Sequence, residues 1–263
     1  MTRVTQLPER LESVPTEFVG ALVSLERRLA PTGVPVRVTW LNHHSIRVAL
    51  AVAPDAIGQL DVCGIDGQFL RWLLGHPVRT SADLVVPRLL LADGSIGRVL
   101  TIGGHGDRSE ALTAALTKAA GRPVRAWSLD GHEDLPRGEQ LRRLVRELEP
   151  DMVLVGLGAG LQEQVLLEAA SAMPRGYALT CGGFLDQVLQ DGYYPRWAYP
   201  LRLNWLVRLA REPRRLWRRY TVEAVAAVAS RGVWRAALAL VPGVLAHARM
   251  CVGEGSRSGL DPA

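Results

Sequence analysis

Asp66 closes the run Cys63-Gly64-Ile65-Asp66-Gly67, an apolar stretch ending in glycine. A carboxylate set there can serve as a general base, because partial burial raises its pKa toward working pH. Asp66-Gly67 is also an ordinary turn signal, and spacing alone favours the turn. Two junctions, at Gly103-Gly104 and at Gly156/Gly158/Gly160, each join an apolar run to a helical pattern. Glycines there let the backbone approach a phosphate, while the following helix start offers N–H groups and partial positive charge. Neither follows G-x-G-x-x-G, since Leu161 holds the place of the third glycine. Each alone is equally a tight turn; together they suggest a nucleotide crevice at the carboxyl ends of strands. Asp130-Gly-His-Glu-Asp134 reads as a solvated loop, not a metal site, because adjacent residues rarely converge on one ion. His43-His44 reads as one packed and one exposed ring, and no nucleophile–histidine arrangement is persuasive.

The densest chemistry-bearing segment lies late in the chain. Between Arg196 and Tyr220 eight arginines face one acid, Glu212, a local balance of +7, so with a net charge of +5 the rest sums to −2. A single-sign patch on a near-neutral body calls for an anionic partner: a lipid surface, a diphosphate or a nucleic acid. At helical spacing Asn204, Arg208 and Arg211 share one face. After Glu212-Pro213, Arg214, Arg215, Arg218 and Arg219 form a second ridge, with Leu216, Trp217 and Tyr220 directed elsewhere. Four guanidinium groups at this density repel one another unless an anion sits among them, and tryptophan beside arginine suits a membrane interface. A solvated arginine face is the bland alternative.

The elements that must hold these residues alternate. Residues 11–30 have helical spacing, ended by Pro31-Thr-Gly-Val-Pro35; Val36–Trp40 reads as a strand. Residues 84–91 and 98–102 are both apolar and β-prone, with the turn Asp93-Gly94 between them. A helical pattern runs to Ala120, another spans 139–148, and Asp151–Val155 is a buried strand. A helix follows from Leu161 to Met173, then a strand from Tyr177 to Thr180. Strands alternating with helices predict an α/β fold: a Rossmann-like parallel-sheet core with helices on both faces. From Leu201 the pattern is all-helical, which predicts a basic helical C-terminal appendage. The expected divisions are an N-terminal helical extension over 1–35, a core over 36–198, a membrane-associating appendage over 199–250 and a disordered tail over 251–263.

With 263 residues and 48% hydrophobic side chains, the chain can bury a core without metal or disulfide staples. Three scattered cysteines predict a reducing compartment. Met1–Pro31 has no apolar signal region, and the apolar run Ala236–His247 is interrupted by Pro242. That run is too short to span a bilayer, which needs about 20 residues, so a soluble or peripheral protein is expected.

Three ordered segments carry a resemblance. Gly156-Leu-Gly-Ala-Gly-Leu-Gln162-Glu163 resembles "GlGxPkQE", Gly182-Gly183-Phe184-Leu185-Asp186 resembles "GgxFD", and Trp205 to Tyr220 resembles "EWlyRLxxEPxRlxRY". The set is similar to that of the WecG/TagA/CpsF glycosyltransferases, over about Val36 to Tyr220. The segment from Tyr193 to Tyr220 resembles members of xanthan-type exopolysaccharide clusters. The resemblance implies an inverting transferase that moves a sugar from a nucleotide sugar, UDP-linked, to a polyprenyl-diphosphate-linked saccharide, acting peripherally on the inner face of the bacterial cytoplasmic membrane. It places Asp66 at the family's catalytic aspartate, Asn42 at its asparagine after the first strand, Arg79 before the "xxDL" helix start, and Gln162 in the "QE" pair.

The expected catalytic residues are therefore Asp66, Asn42 and Gln162. Substrate binding is expected of Thr39, Arg79, Gly103, Gly104, Gly156, Gly158, Glu163, Gly183 and Asp186. Arg208, Arg214, Arg215, Arg218 and Arg219 are expected at the diphosphate and the anionic membrane surface. No D-x-D motif occurs, so no metal and no cofactor is expected. The sequence departs from the pattern at Gly160 and Leu161, which replace proline and lysine, and at Asn204, which replaces glutamate. Two other readings stay open at this stage: a non-catalytic nucleotide-sugar-binding module, and a nucleic-acid binder suggested by arginine–aromatic interleaving. The sequence leaves homo-oligomerisation open.

Overall fold

A computed structural model describes residues 16–67, 69–70, 80–131, 135–190, 204–211, 213–230 and 242–252. Six parallel strands form one sheet in the order β2-β1-β6-β5-β3-β4. They are β1 (Val36–Leu41), β2 (Val62–Ile65), β3 (Arg98–Gly103), β4 (Arg125–Leu129), β5 (Met152–Gly156) and β6 (Tyr177–Thr180). The expected α/β core with a parallel sheet is what the chain forms.

Side chains alternate across this sheet with the two-residue period of a strand. Met152 and Leu154 enter one apolar layer with helices α1 (Thr16–Leu29), α4 (Ala82–Ala92) and α5 (Ser109–Ala120). Val153 and Val155 enter the other, with α2 (His43–Val52), α3 (Pro54–Gly58), α6 (Glu139–Leu148) and α7 (Leu161–Ala170). A short helix, α8 (Phe184–Val188), follows β6. The central strands are buried on both faces, which is why they read as continuous apolar runs.

The run 84–91, expected to be β-prone, lies inside helix α4. Continuous apolar runs do not separate a buried helix from a buried strand; the run lies within the eleven-residue helix Ala82–Ala92, and its Pro87 argues against a central strand. Strand β4 was not among the expected elements; it is an edge strand whose Arg125 is exposed, so it carries little apolar signal. Helix α2 was also unforeseen.

Three basic or small-residue helices follow: α9 (Asn204–Arg211), α10 (Pro213–Tyr220) and α11 (Val222–Ala229). The last helix, α12 (Pro242–Val252), packs along β2. A Cβ on its Gly243 would stand 2.8 Å from Cys63 Sγ and 3.0 Å from Cys63 N, so glycine lets the helix lie against the open edge of the sheet. Covered edges do not recruit other chains. His247 of α12 is buried, with Nε2 2.8 Å from Thr80 Oγ1 and its ring edge-on to Phe18 of α1. The first and last described helices therefore pack into the body that the sheet organises.

Candidate active site

Every strand is parallel, so all six carboxyl ends lie along one edge. Asp66 follows β2 there, its N–H donating to Leu41 O at the end of β1 (2.8 Å), with the residue partly buried. Asn42 follows β1 and caps α2: its Oδ1 accepts from His44 N (3.1 Å) and Ser45 N (3.0 Å), while Asn42 N donates to Ser45 Oγ (2.7 Å). An asparagine is well suited to that corner for the cap alone. The chain leaves β3 toward β4 on one side and β5 toward β6 on the other, so β3 and β5 flank a switch point. In open α/β sheets ligands bind in such a crevice.

The glycines at this crevice divide into two kinds. Gly103 (φ 135°) pairs in register with Gly156, and a Cβ on it would fall 2.4 Å from Gly156 O. A Cβ on Gly156 would fall 2.5 Å from Gly182 O. These two glycines let strand ends and the next loop close on one another. Above Gly104 (φ 80°) the guanidinium of Arg108 takes the room, within 2.8–2.9 Å of where a Cβ would be. Gly158 (φ 88°) differs, because nothing lies within 4 Å of its Cβ position. Approachable backbone is thus found at Gly158, three residues before α7, and at Gly182 (φ 51°) after β6, which also has nothing within 4 Å of its Cβ position.

Thr39 and Glu163, expected to touch substrate, are fully buried and face each other. Glu163 Oε1 accepts from Thr39 Oγ1 (2.9 Å) and Gln162 Nε2 (2.9 Å), and its Oε2 accepts from Gly160 N (2.7 Å). Thr39 Oγ1 lies 2.8 Å from Thr180 Oγ1. The carboxylate ties β1, β6 and the glycine loop into one unit behind the crevice.

Arg108 was not foreseen. Its Nη1 donates to Asp186 Oδ1 (2.6 Å) and its Nε to His105 O (3.1 Å), so it stands beside the crevice, paired with an acid that is 55% exposed. Gly183 immediately precedes α8, the helix that carries Asp186. The only sequence signal for Arg108 was its place four residues after Gly104. Asp130 Oδ2 accepts from Gly106 N (2.7 Å), which gives Asp130 a structural duty; His132, Glu133 and Asp134 lie outside the described residues. Among the described residues no group of three or more metal-ligating side chains is gathered to hold an ion.

The basic helices are tethered to the same edge. Glu223 of α11 lies 2.6 Å from His44 Nδ1 and 3.5 Å from Arg47 Nη2, both on α2. Arg211 of α9 donates to Gln190 Oε1 (3.3 Å), just beyond α8. Arg214 and Arg218 are exposed, as are Leu206, Trp217, Val222, Val225 and Val228. The side chains of Arg208, Arg215 and Arg219, and the whole of Arg79, lie outside the described residues.

A sequence model described as "Glycosyl transferase WecG/TagA/CpsF family" matches residues 14–240. The chain belongs to that family. It is accordingly a glycosyltransferase of cell-surface polysaccharide synthesis. No curated protein matches it. Among the described residues no helix is long and apolar enough to cross a membrane.

Against the WecG/TagA/CpsF pattern, the departure at Gly160 has a physical consequence. Gly160 sits at φ 87°, whereas proline is fixed near −65°, so this loop takes a path the family's usual residue forbids. Leu161 replaces the usual lysine and is 37% exposed. A Cβ on Gly160 would lie 3.1 Å from Val52, itself 60% exposed, so the lip of this WecG/TagA/CpsF crevice is apolar on that side.

Proposed function

We propose that the protein is an inverting hexosyltransferase that moves a sugar from a UDP-linked donor to a polyprenyl-diphosphate-linked saccharide in exopolysaccharide or cell-surface polysaccharide synthesis. The observation that carries this reading is the shared edge: Asp66 after β2 and the glycine loops after β3 and β5 face the same way. Strands lie about 4.8 Å apart, so Asp66 is three strands, roughly 14 Å, from β5, and a sugar with its diphosphate would lie across that gap.

In the reaction, Asp66 takes the proton of the acceptor hydroxyl as that oxygen attacks the anomeric carbon. The carbon–oxygen bond to the diphosphate breaks on the opposite face, and UDP leaves with the electron pair. Base catalysis of this kind contributes about 10²–10⁴-fold. The N–H groups before α7, Arg108 and the arginines of α9 and α10 supply counter-charge through charge-assisted hydrogen bonds, with no divalent ion required. Asn42 sets the start of α2 beside the base, and Arg79 falls on the same donor-binding role by family position.

Arg214, Arg218 and Trp217 with the exposed valines of α11 support a seat on an anionic bilayer. Each basic residue near such a surface contributes about 1 kcal/mol. The enzyme then acts peripherally on the inner face of the cytoplasmic membrane, where the lipid-linked acceptor is held.

The test is to incubate the full chain with lipid-linked saccharides from bacterial membranes and a panel of UDP-hexoses, with and without EDTA. Transfer of one sugar with inverted anomeric configuration, insensitive to EDTA, is expected. Donor binding without transfer from any UDP-hexose would instead support a non-catalytic module. EDTA-abolished transfer restored by Mg²⁺ would overturn the metal-free account.

A further inference from the structure

Gln162 is 5% exposed, and its Oε1 is buried without a hydrogen-bond partner. A buried polar atom left unsatisfied is costly, and native proteins seldom keep one without a use for it. The other end of the same amide is not free to turn. Nε2 donates to Glu163 Oε1 (2.9 Å), and an amide rotated end for end would set its oxygen against that carboxylate, acceptor facing acceptor.

Glu163 is itself held. Thr39 Oγ1 and Gly160 N donate to it, and Trp40 N lies 3.3 Å from Thr180 Oγ1, the hydroxyl next to Thr39. With its hydroxyl hydrogen committed to Glu163, Thr39 can only accept from Thr180 (2.8 Å). The hydrogens thus run one way, from β6 through β1 to Glu163. The outcome is an amide whose nitrogen is held by Glu163 and whose buried oxygen still requires a donor.

That requirement limits what can satisfy it. Diphosphate oxygens accept and do not donate at neutral pH, so they cannot satisfy Gln162 Oε1. Sugar hydroxyls, acetamido N–H groups, ribose hydroxyls and the uracil N3–H can, and position decides among them. The Glu163 network hangs on β1 and β6, between Asp66 after β2 and the glycines after β5 and β3. A donor with its diphosphate at the switch point and its anomeric carbon near Asp66 passes its sugar across that place.

We infer that Glu163 is a positioning residue that fixes Gln162 as a hydrogen-bond acceptor for a hydroxyl or amide N–H of the transferred sugar. The inference rests on the donor reading above and deepens it: Glu163 does not touch the sugar, and Gln162 recognises it by accepting.

The experiment is a double-mutant cycle on the full chain, read as the affinity for a UDP-hexose relative to UDP alone. The probes are UDP, UDP-glucose, UDP-galactose, UDP-N-acetylglucosamine and UDP-glucuronate. In the unaltered protein the preferred UDP-hexose should bind more tightly than UDP. Gln162→Met should remove that advantage, by about tenfold to a hundredfold, and leave UDP binding unchanged. Glu163→Gln should remove the same advantage, and the double variant should lose no more than either alone. Should Glu163→Gln fail to fold, Thr39→Val takes its place in the cycle, with Thr39→Ser restoring the advantage through its hydroxyl.

A purely structural Glu163 would give additive losses, or would weaken UDP and UDP-hexose alike; either result overturns the inference. It is equally overturned if no hexose adds affinity over UDP in the unaltered protein. Failure to bind UDP or any of the sugars would sink the donor reading itself, which separates the two.

Discussion

Gly103 and Gly158 show how one residue type serves two purposes at the same edge. Gly103 combines a φ of 135° with a Cβ position 2.4 Å from Gly156 O, so its absent side chain is a packing requirement of the sheet. Gly158 has open space around it and meets only the backbone strain of φ 88°. Gly103→Ala should therefore cost about 3 kcal/mol or more, from strain and overlap together. Gly158→Ala should cost about 1–2 kcal/mol. Urea melts of both variants check this, and equal losses would contradict it. The buried cysteines give a second residue-scale prediction. Burial pushes the Cys63 thiol up to about 12, with the nearby Glu163 and Asp61 charges adding to the effect, and burial likewise raises Cys181. The thiolate is the reactive form, and raised values leave almost none at pH 8. Native protein treated with iodoacetamide at pH 8 should keep both cysteines unmodified by mass spectrometry, and unfolding in guanidinium should label both; native-state labelling of either would contradict their burial.

At the scale of elements, the junctions that were legible in the sequence share one form: an apolar run, a glycine, then a 3.6-residue period. β3 and β5 with their helices were readable for that reason; β6 was readable too, but not the short helix α8 that follows it. The run 84–91 was not, because a helix buried on most sides loses its period and resembles a strand until Pro87 is weighed. Helix α2 was signalled only by its Asn42 and Ser45 cap, which has no acidic third residue to advertise it. The purpose of Glu163 was illegible, since Thr39 lies 124 residues away and only the fold brings them together. Arg108 has no signal of its own in the sequence, because only the fold sets its guanidinium in the room that Gly104 leaves. Of the expected basic ridge the described side chains are Arg214 and Arg218, both exposed, and the tether of α11 through Glu223 to α2 had no signal in the sequence. On the proposed membrane seat, Arg214→Gln with Arg218→Gln should weaken sedimentation with phosphatidylglycerol vesicles at low salt, and raising the salt should narrow the difference. Unchanged sedimentation would remove the ridge from that role.

For the whole molecule, the strand order matters more than any single motif. Placing β2 at one end and the β3–β5 switch point near the other separates the proposed base from the diphosphate, while α12 covers the edge beyond β2. That separation turns the carboxyl edge into a track along which a donor sugar would lie, with Gln162 between its ends. Turnover and UDP affinity of Asp66→Asn, determined side by side on the same preparation, test this arrangement most directly. Transfer should fall by about 10²–10⁴-fold while UDP binds as in the unaltered protein, because the carboxylate acts at the far end of the track. Near-normal transfer by that variant would contradict the account, as would loss of UDP binding with the fold intact.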